Sequence, residues 1–304
     1  MLKFGIPDLI SPSYFPLIAA SDLGYLAAEG LETTVDLVAP VDHAVEVMRD
    51  GGLDFVGGCA HSAPYAFPEW RGAKIVGALS QNTYWFLVVR PDAGVTAGNL
   101  SALSGLSIGA APLVDLALLR TLHELGIEGV DVRPVPGAFL DGDKNFGVAA
   151  AKALQAGLID GFWANGMGTE VAVRAGAGTM VLDARRGQGP AGSEHYTFAA
   201  LITTDALIER DPGTVAAVAR GLVAAQKALA ADPSLAAEVG RKRFPAYEAS
   251  LITGLIARDA PFYQAAVGPE RIAELSQFQL DMGLTTAPVG FTDVVAPAFA
   301  PLWG

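Results

Sequence analysis

The chain has 304 residues, 51% of them apolar and only 17% charged, which excludes a disordered segment and leaves ample material for a core. Lys and Arg number 20 against 32 Asp and Glu, and the net charge of −12 repels phosphate backbones and anionic lipid, so nucleic acid is not an expected partner. A single cysteine, Cys59, excludes an internal disulfide and any multi-thiolate zinc or iron–sulfur site.

The N-terminus turns polar within eight residues, so no secretory leader pattern is visible there. As it stands the sequence reads as cytoplasmic, and as periplasmic or extracellular if a leader precedes it. Short apolar runs at 2–6, 33–38, 53–56, 74–79 and 85–90 predict strands, followed by further strands at 106–109, 130–135, 158–163, 179–182 and 198–203. Helix-period segments lie between them at 15–29, 41–49, 112–125, 148–156 and 167–175. This alternation predicts an α/β chain built from parallel βαβ units. From Asp205 onward the pattern is helical, with Asp211-Pro212 and Asp232-Pro233 as helix starts. The stretch 215–231 comes nearest to a membrane span, but it is Ala-rich and interrupted by Arg220, Gln226 and Lys227, and no membrane insertion is expected. The turn-rich segment 90–99 and a second passage near 197–203 are expected to be crossings between lobes. Lobe one would then comprise 1–90 plus 198–304 and lobe two 91–197, with the two crossovers forming a hinge.

Five phrases in order carry a resemblance: GIPDLISPSY at 5–14, ASDLGYLAAEGLE at 20–32, GLDFVGG at 52–58, LSGLSIG at 103–109 and LQAGLIDG at 154–161. Together they resemble the periplasmic-binding-protein-like fold of the thiamine-pyrimidine-synthase-like and sulfonate-binding type, a group that includes substrate-binding proteins of ABC transporters. The resemblance implies a two-lobed type II fold with two parallel or mixed sheets and an interlobe cleft, a small organic ligand, and an ABC importer as partner. The chain also resembles the aromatic sulfinate desulfinase branch, but Ser11-Pro12 stands where that branch carries its Cys-Pro nucleophile. In open parallel sheets, loops at the carboxyl ends of strands form the binding crevice. Here those loops are 8–14, 57–62 and 80–84, facing 110–114, 163–167 and 194–196.

Within these loops, Ser11, Ser13 and Tyr14 read either as the cap of the following helix or as ligand contacts. Gly58 admits close backbone approach, and Cys59 and His61 follow it. Cys59 reads as a small buried hydrophobe and His61 as a satisfied polar residue, or the two contact ligand, or they form a Cys/His nucleophilic pair. Asn82, Tyr84 and Trp85 are expected to give an amide and an aromatic wall, or else a packed hinge. Leu113, Trp163, Asn165, His195 and Tyr196 complete the expected ligand set. Zinc at Cys59, His61 and Glu194 or His195 has no recognised ligand spacing, so no metal and no cofactor is expected. Arg185 and Arg186 read as a solvated loop, leaving the expected site poor in cations. A cation-poor aromatic site disfavours sulfonate and phosphate and fits a neutral or monoanionic organic guest, aromatic or heterocyclic. The expected function is solute binding by hinge closure in the interlobe cleft. The alternative is a cytosolic desulfinase-like enzyme, lyase or hydrolase using Cys59 and His61.

Overall fold

The computed structural model describes residues 1–138 and 145–304. In chain order its elements begin with β1 (Leu2–Ile6), α1 (Phe15–Asp22), α2 (Tyr25–Ala28), β2 (Thr33–Leu37), α3 (Val41–Arg49), β3 (Phe55–Cys59), α4 (Ala63–Ala66) and β4 (Ala73–Ser80). There follow β5 (Phe86–Val89), β6 (Ser107–Gly109), α5 (Asp115–Glu124), β7 (Asp131–Arg133), α6 (Phe146–Gln155), β8 (Gly161–Ala164), α7 (Gly166–Arg174) and β9 (Thr179–Asp183). The chain ends with β10 (Ala199–Thr204), α8 (Asp205–Arg210), α9 (Pro212–Ala231), α10 (Ala236–Arg243), α11 (Ala246–Asp259), α12 (Pro269–Asp281) and α13 (Phe291–Val294).

The described residues form two compact units, Met1–Gln81 with Thr197–Gly304, and Asn82–Tyr196. The first holds a five-stranded mixed sheet ordered β2-β1-β3-β10-β4, in which β1 pairs in parallel with β2 and β3 while β10 runs antiparallel to β3 and β4. The second holds a sheet of the same build, ordered β7-β6-β8-β5-β9, with β6 parallel to β7 and β8 and with β5 as the antiparallel member. Each sheet thus receives one strand that arrives from the other half of the chain and runs against its neighbours.

That arrangement corrects several expectations. The strand at 85–90, assigned to lobe one from the sequence, pairs with β8 and β9 in the second sheet, and Arg90 donates to Asp160 there. The segment 90–99 therefore lies inside the second unit, and the chain passes between units at Gln81/Asn82 and Tyr196/Thr197. β3 extends to Cys59 because β10 pairs with it as far as Ala199↔Cys59, so Gly57 to Cys59 are strand rather than loop. The helix expected over 15–29 breaks into α1 and α2 at Gly24, whose φ of 83° a helix cannot contain. The helix starts at Asp211 and Asp232 form as expected. The Asp211 carboxylate accepts from the Thr214 amide at 3.0 Å and Asp232 from the Ser234 amide at 3.0 Å, satisfying donors that a helix leaves orphaned.

Glycine contacts explain how closely elements pack. A Cβ on Gly57 would meet Leu17 Cδ2 at 3.0 Å and Leu79 Cδ1 at 3.1 Å, and one on Gly58 would meet Val41 Cγ2 at 2.9 Å. These two glycines admit side chains of α1 and α3, a packing role beside the backbone approach expected of Gly58. α9 has the length and apolarity to cross a membrane, yet 56% of that stretch is buried. It packs on α1, α2 and β4, and its Gln226 amide donates to the Ala78 and Leu79 carbonyls at 2.9 and 3.0 Å. Arg243 forks onto the Asp22 carboxylate and donates to the Val35 carbonyl, tying α10 to α1 and β2.

Candidate functional site

In each unit the expected ligand residues gather at the edge where the parallel strands end. In the first, this edge holds the loop after β1, the end of β3, the end of β4 at Ser80 and the start of β10. Ser11, Ser13 and Tyr14 are all buried, at 1, 2 and 4% exposure. Neither serine side chain caps α1, whose N-cap position is Tyr14 without a side-chain bond. The loop is fixed instead by the Asp8 carboxylate accepting from the Ile10 amide at 3.0 Å and by Tyr263 donating its hydroxyl to the Pro12 carbonyl at 2.7 Å. The Ser11 hydroxyl is left buried with no hydrogen-bond partner among the described residues.

Cys59 and His61 are completely buried. Desolvation pushes the Cys59 thiol up to about 12, and the hydrogen bond from Ser62 only partly offsets this. A thiol so placed stays protonated at neutral pH and is no nucleophile. The His61 Nδ1 lies 2.9 Å from the Thr197 hydroxyl, and its ring meets Phe278 edge-on at 5.2 Å. Ser62 donates to the Cys59 carbonyl at 2.7 Å, closing a 3₁₀ turn over 60–62. The geometry therefore gives this segment packing and hydrogen-bonding roles, and the Cys/His enzyme alternative gains no support from it. Among the described residues no group of three His, Cys, Asp or Glu side chains could hold a metal ion.

In the second unit, the strands end at Gly109, Arg133, Ala164 and Asp183, and β5 begins at the same edge. Tyr84 and Trp85 enter β5 with ring centroids 4.7 Å apart, and Trp85 lies 6.2 Å from Trp163 on β8. All three rings are buried. Two residues in loops of this unit hold unusual backbone: Asn82 at φ 66° and Leu113 at φ 64°, the latter a conformation that a branched side chain adopts only under constraint. The Asn82 amide donates to the Arg185 carbonyl at 2.9 Å, so this residue anchors the turn after β9. Asn165 is the N-cap of α7, its carbonyl oxygen accepting from the Met167 and Gly168 amides at 3.0 and 3.3 Å. Tyr196 donates its hydroxyl to Glu124 at 2.6 Å beneath the Arg120 guanidinium, and burial together with that carboxylate pushes its pKa well above the usual phenol range. His195 is half-buried, with Nε2 4.0 Å from Glu194.

The structure thus brings Tyr84, Trp85 and Trp163 together, whereas Asn82, Asn165 and Tyr196 serve local architecture. It also places a residue that the sequence reading set aside. Arg185 is 1% exposed, with its guanidinium carbon 5.9 Å from the Tyr84 ring centroid, so the expectation of a solvated loop is corrected and the aromatic segment has a cation beside it. Arg186, by contrast, is largely exposed and pairs with Asp183 at 2.7 Å. Nothing in the local sequence separates the two arginines, since both follow the last strand residue; only the turn geometry does. A cavity of about 500 Å³ opens at the opposite edge of the first sheet, between Leu53, Phe67 and Leu207, and shares no residue with the expected set.

The chain shares its fold with several solved structures. The ligand-binding component of an ABC-type import system from Staphylococcus aureus, solved with zinc bound, superposes with a TM-score of 0.74 at 12% identity, covering 100% of this chain and 98% of that one. The alkanesulfonate-binding protein SsuA from Xanthomonas axonopodis pv. citri, bound to MOPS, gives 0.71 at 15% identity over 97% of each chain. The desulfurization enzyme DszB gives 0.66 at 17% identity, covering 99% of this chain and 98% of that one. No curated protein matches the chain. The model of the NMT1/THI5-like family matches residues 11–236, three-quarters of the chain, and this protein belongs to that family.

Proposed function

We propose that this protein is a solute-binding protein that captures a small organic ligand and breaks no bond in it. Family membership and the shared fold of importer components support a ligand-binding role. The observation that carries the reading here is the Ser11 hydroxyl on the loop after β1, buried at 1% exposure and without a hydrogen-bond partner among the described residues. A buried hydroxyl in a native protein ordinarily has a hydrogen-bond partner, and a ligand atom supplies one. Capture by hinge closure, with an ABC importer receiving the cargo, belongs to the same proposal, as does a periplasmic or extracellular location.

Between the two ligand charges expected from the sequence, the monoanion is the better fit. The guanidinium of Arg185 beside Tyr84 gives the aromatic segment a cation that can face an anionic group. The enzyme alternative is weakened by the protonated thiol of Cys59. A thermal-shift screen of neutral and monoanionic aromatic molecules tests the reading. Monoanions should raise the melting temperature by several degrees without being turned over, whereas consumption of a bound molecule would overturn it.

A further inference from the structure

Four tryptophans in this chain differ in what their indole N–H groups meet. Trp70 donates to the Gln279 side-chain carbonyl at 3.2 Å, and Trp303 donates to the Val76 carbonyl at 2.8 Å. Trp163 sits on β8, opposite Leu87 of β5, and is 0% exposed. Its Nε1 has no hydrogen-bond partner among the described residues. Buried indole N–H groups usually find an acceptor, because leaving a donor dry costs the full desolvation of that group. Its ring neighbour Trp85 lies 6.2 Å away centroid to centroid, tilted by 52°.

We propose that Trp163 is a specificity-determining donor whose indole N–H binds an acceptor atom carried by a planar ring of the ligand. The proposal rests on the ligand-binding reading above and adds to it the group that selects among guests. The wall made by Tyr84, Trp85 and Trp163 suits a flat body. The dry N–H beside that wall asks for an oxygen or ring nitrogen in or near the plane of that body. A flat hydrocarbon would satisfy the wall and leave the donor unpaired. An acceptor without a ring would satisfy the donor and leave the wall bare. Aromatic carboxylates and acceptor-bearing heterocycles meet both demands, and a site built to pair a buried donor rejects guests that lack the acceptor.

Nitrogen-15 NMR of the full chain reads this directly through the indole N–H signals, with benzoate, toluene and acetate as probes. Trp163→Phe identifies the Trp163 signal by its loss and keeps a flat ring in place. If that variant does not fold, Trp85→Phe, Trp70→Phe and Trp303→Phe assign the signal by elimination. Benzoate should move the Trp163 signal downfield and leave those of Trp70 and Trp303 in place, because their acceptors are already within the protein. Toluene and acetate should each bind at least about tenfold more weakly than benzoate, and Trp163→Phe should weaken benzoate by about tenfold or more. Toluene binding as well as benzoate, or Trp163→Phe retaining benzoate affinity, would overturn the donor assignment while leaving ligand binding intact. If none of the three probes moves any indole signal, both the donor assignment and the aromatic-ligand reading fail.

Discussion

The two units use one plan and reach opposite results at the edge where their parallel strands end. In the first, the residues that looked most chemical are consumed by the scaffold: His61 meets Thr197 and Phe278, Ser62 closes a turn on Cys59, and Gly57 and Gly58 admit helix side chains. In the second, the corresponding edge gathers three aromatic rings and a buried guanidinium, and the indole N–H of Trp163 has no partner among the described residues. Chemical residue type alone therefore does not mark a binding residue. What separates Trp163 and Ser11 from His61 is that burial has cost them water without supplying a partner among the described residues.

Glycine substitutions should break the comparison most sharply. A Cβ on Gly168 would stand 2.3 Å from the Gly147 carbonyl oxygen, a backbone atom held where α6 and α7 cross. Gly168→Ala should cost about 3 kcal/mol or more in urea unfolding. Gly58→Ala in the first unit meets a methyl group of Val41 at 2.9 Å and one of Val56 at 3.4 Å, and should cost about 1 to 2 kcal/mol because these side chains can yield.

After Gly168→Ala the next largest effect is that of His61→Ala, which opens a void beside Phe278 and removes the hydrogen bond to the Thr197 hydroxyl. A loss of about 2 to 3 kcal/mol is expected, with ligand affinity of the folded protein nearly unchanged. A large affinity loss at full stability would return His61 to the binding set. Arg243→Ala leaves the Asp22 carboxylate without its fork partner. The pair is partly exposed, so solvent screening limits the cost to about 1 to 2 kcal/mol by the same unfolding assay.

The smallest effect is a pH dependence. The folded-state value for Cys59 is raised from its ordinary value of 9.0 to about 12, so the neutral thiol is the form that folding favours. Its contribution to stability is complete below pH 9 and is lost as pH rises from about 9 toward 12. Native protein should also resist alkylation by iodoacetamide at pH 8, and Cys59→Ala should flatten the alkaline slope of the unfolding free energy. Rapid alkylation at neutral pH would mean that a thiolate is present and would revive the nucleophile reading.

Much of the fold was legible because periodicity reports burial. The bounds expected for 2–6 and 41–49 coincide with β1 and α3, and the capping carboxylates of Asp211 and Asp232 act as their sequence context implied. The strands β5 and β10 were harder to place, because a short apolar run carries no record of which sheet it joins or in which direction. At the site, the aromatic cluster of Tyr84, Trp85 and Trp163 was readable from residue type and position after strands. Arg185 was not, since its burial depends on a turn tied down by Asn82 from a segment more than a hundred positions earlier. Pairing was equally invisible: the sequence shows Ser11, His61 and Trp163 as polar groups, and only coordinates tell which of them has an acceptor or donor in reach.

Native mass spectrometry of the chain purified without denaturation tests the central claim most directly. The account predicts a species heavier than the chain by one small organic molecule, released intact on activation and absent after unfolding, dialysis and refolding. A bare chain before and after that treatment, with an identical melting temperature in both states, would contradict it.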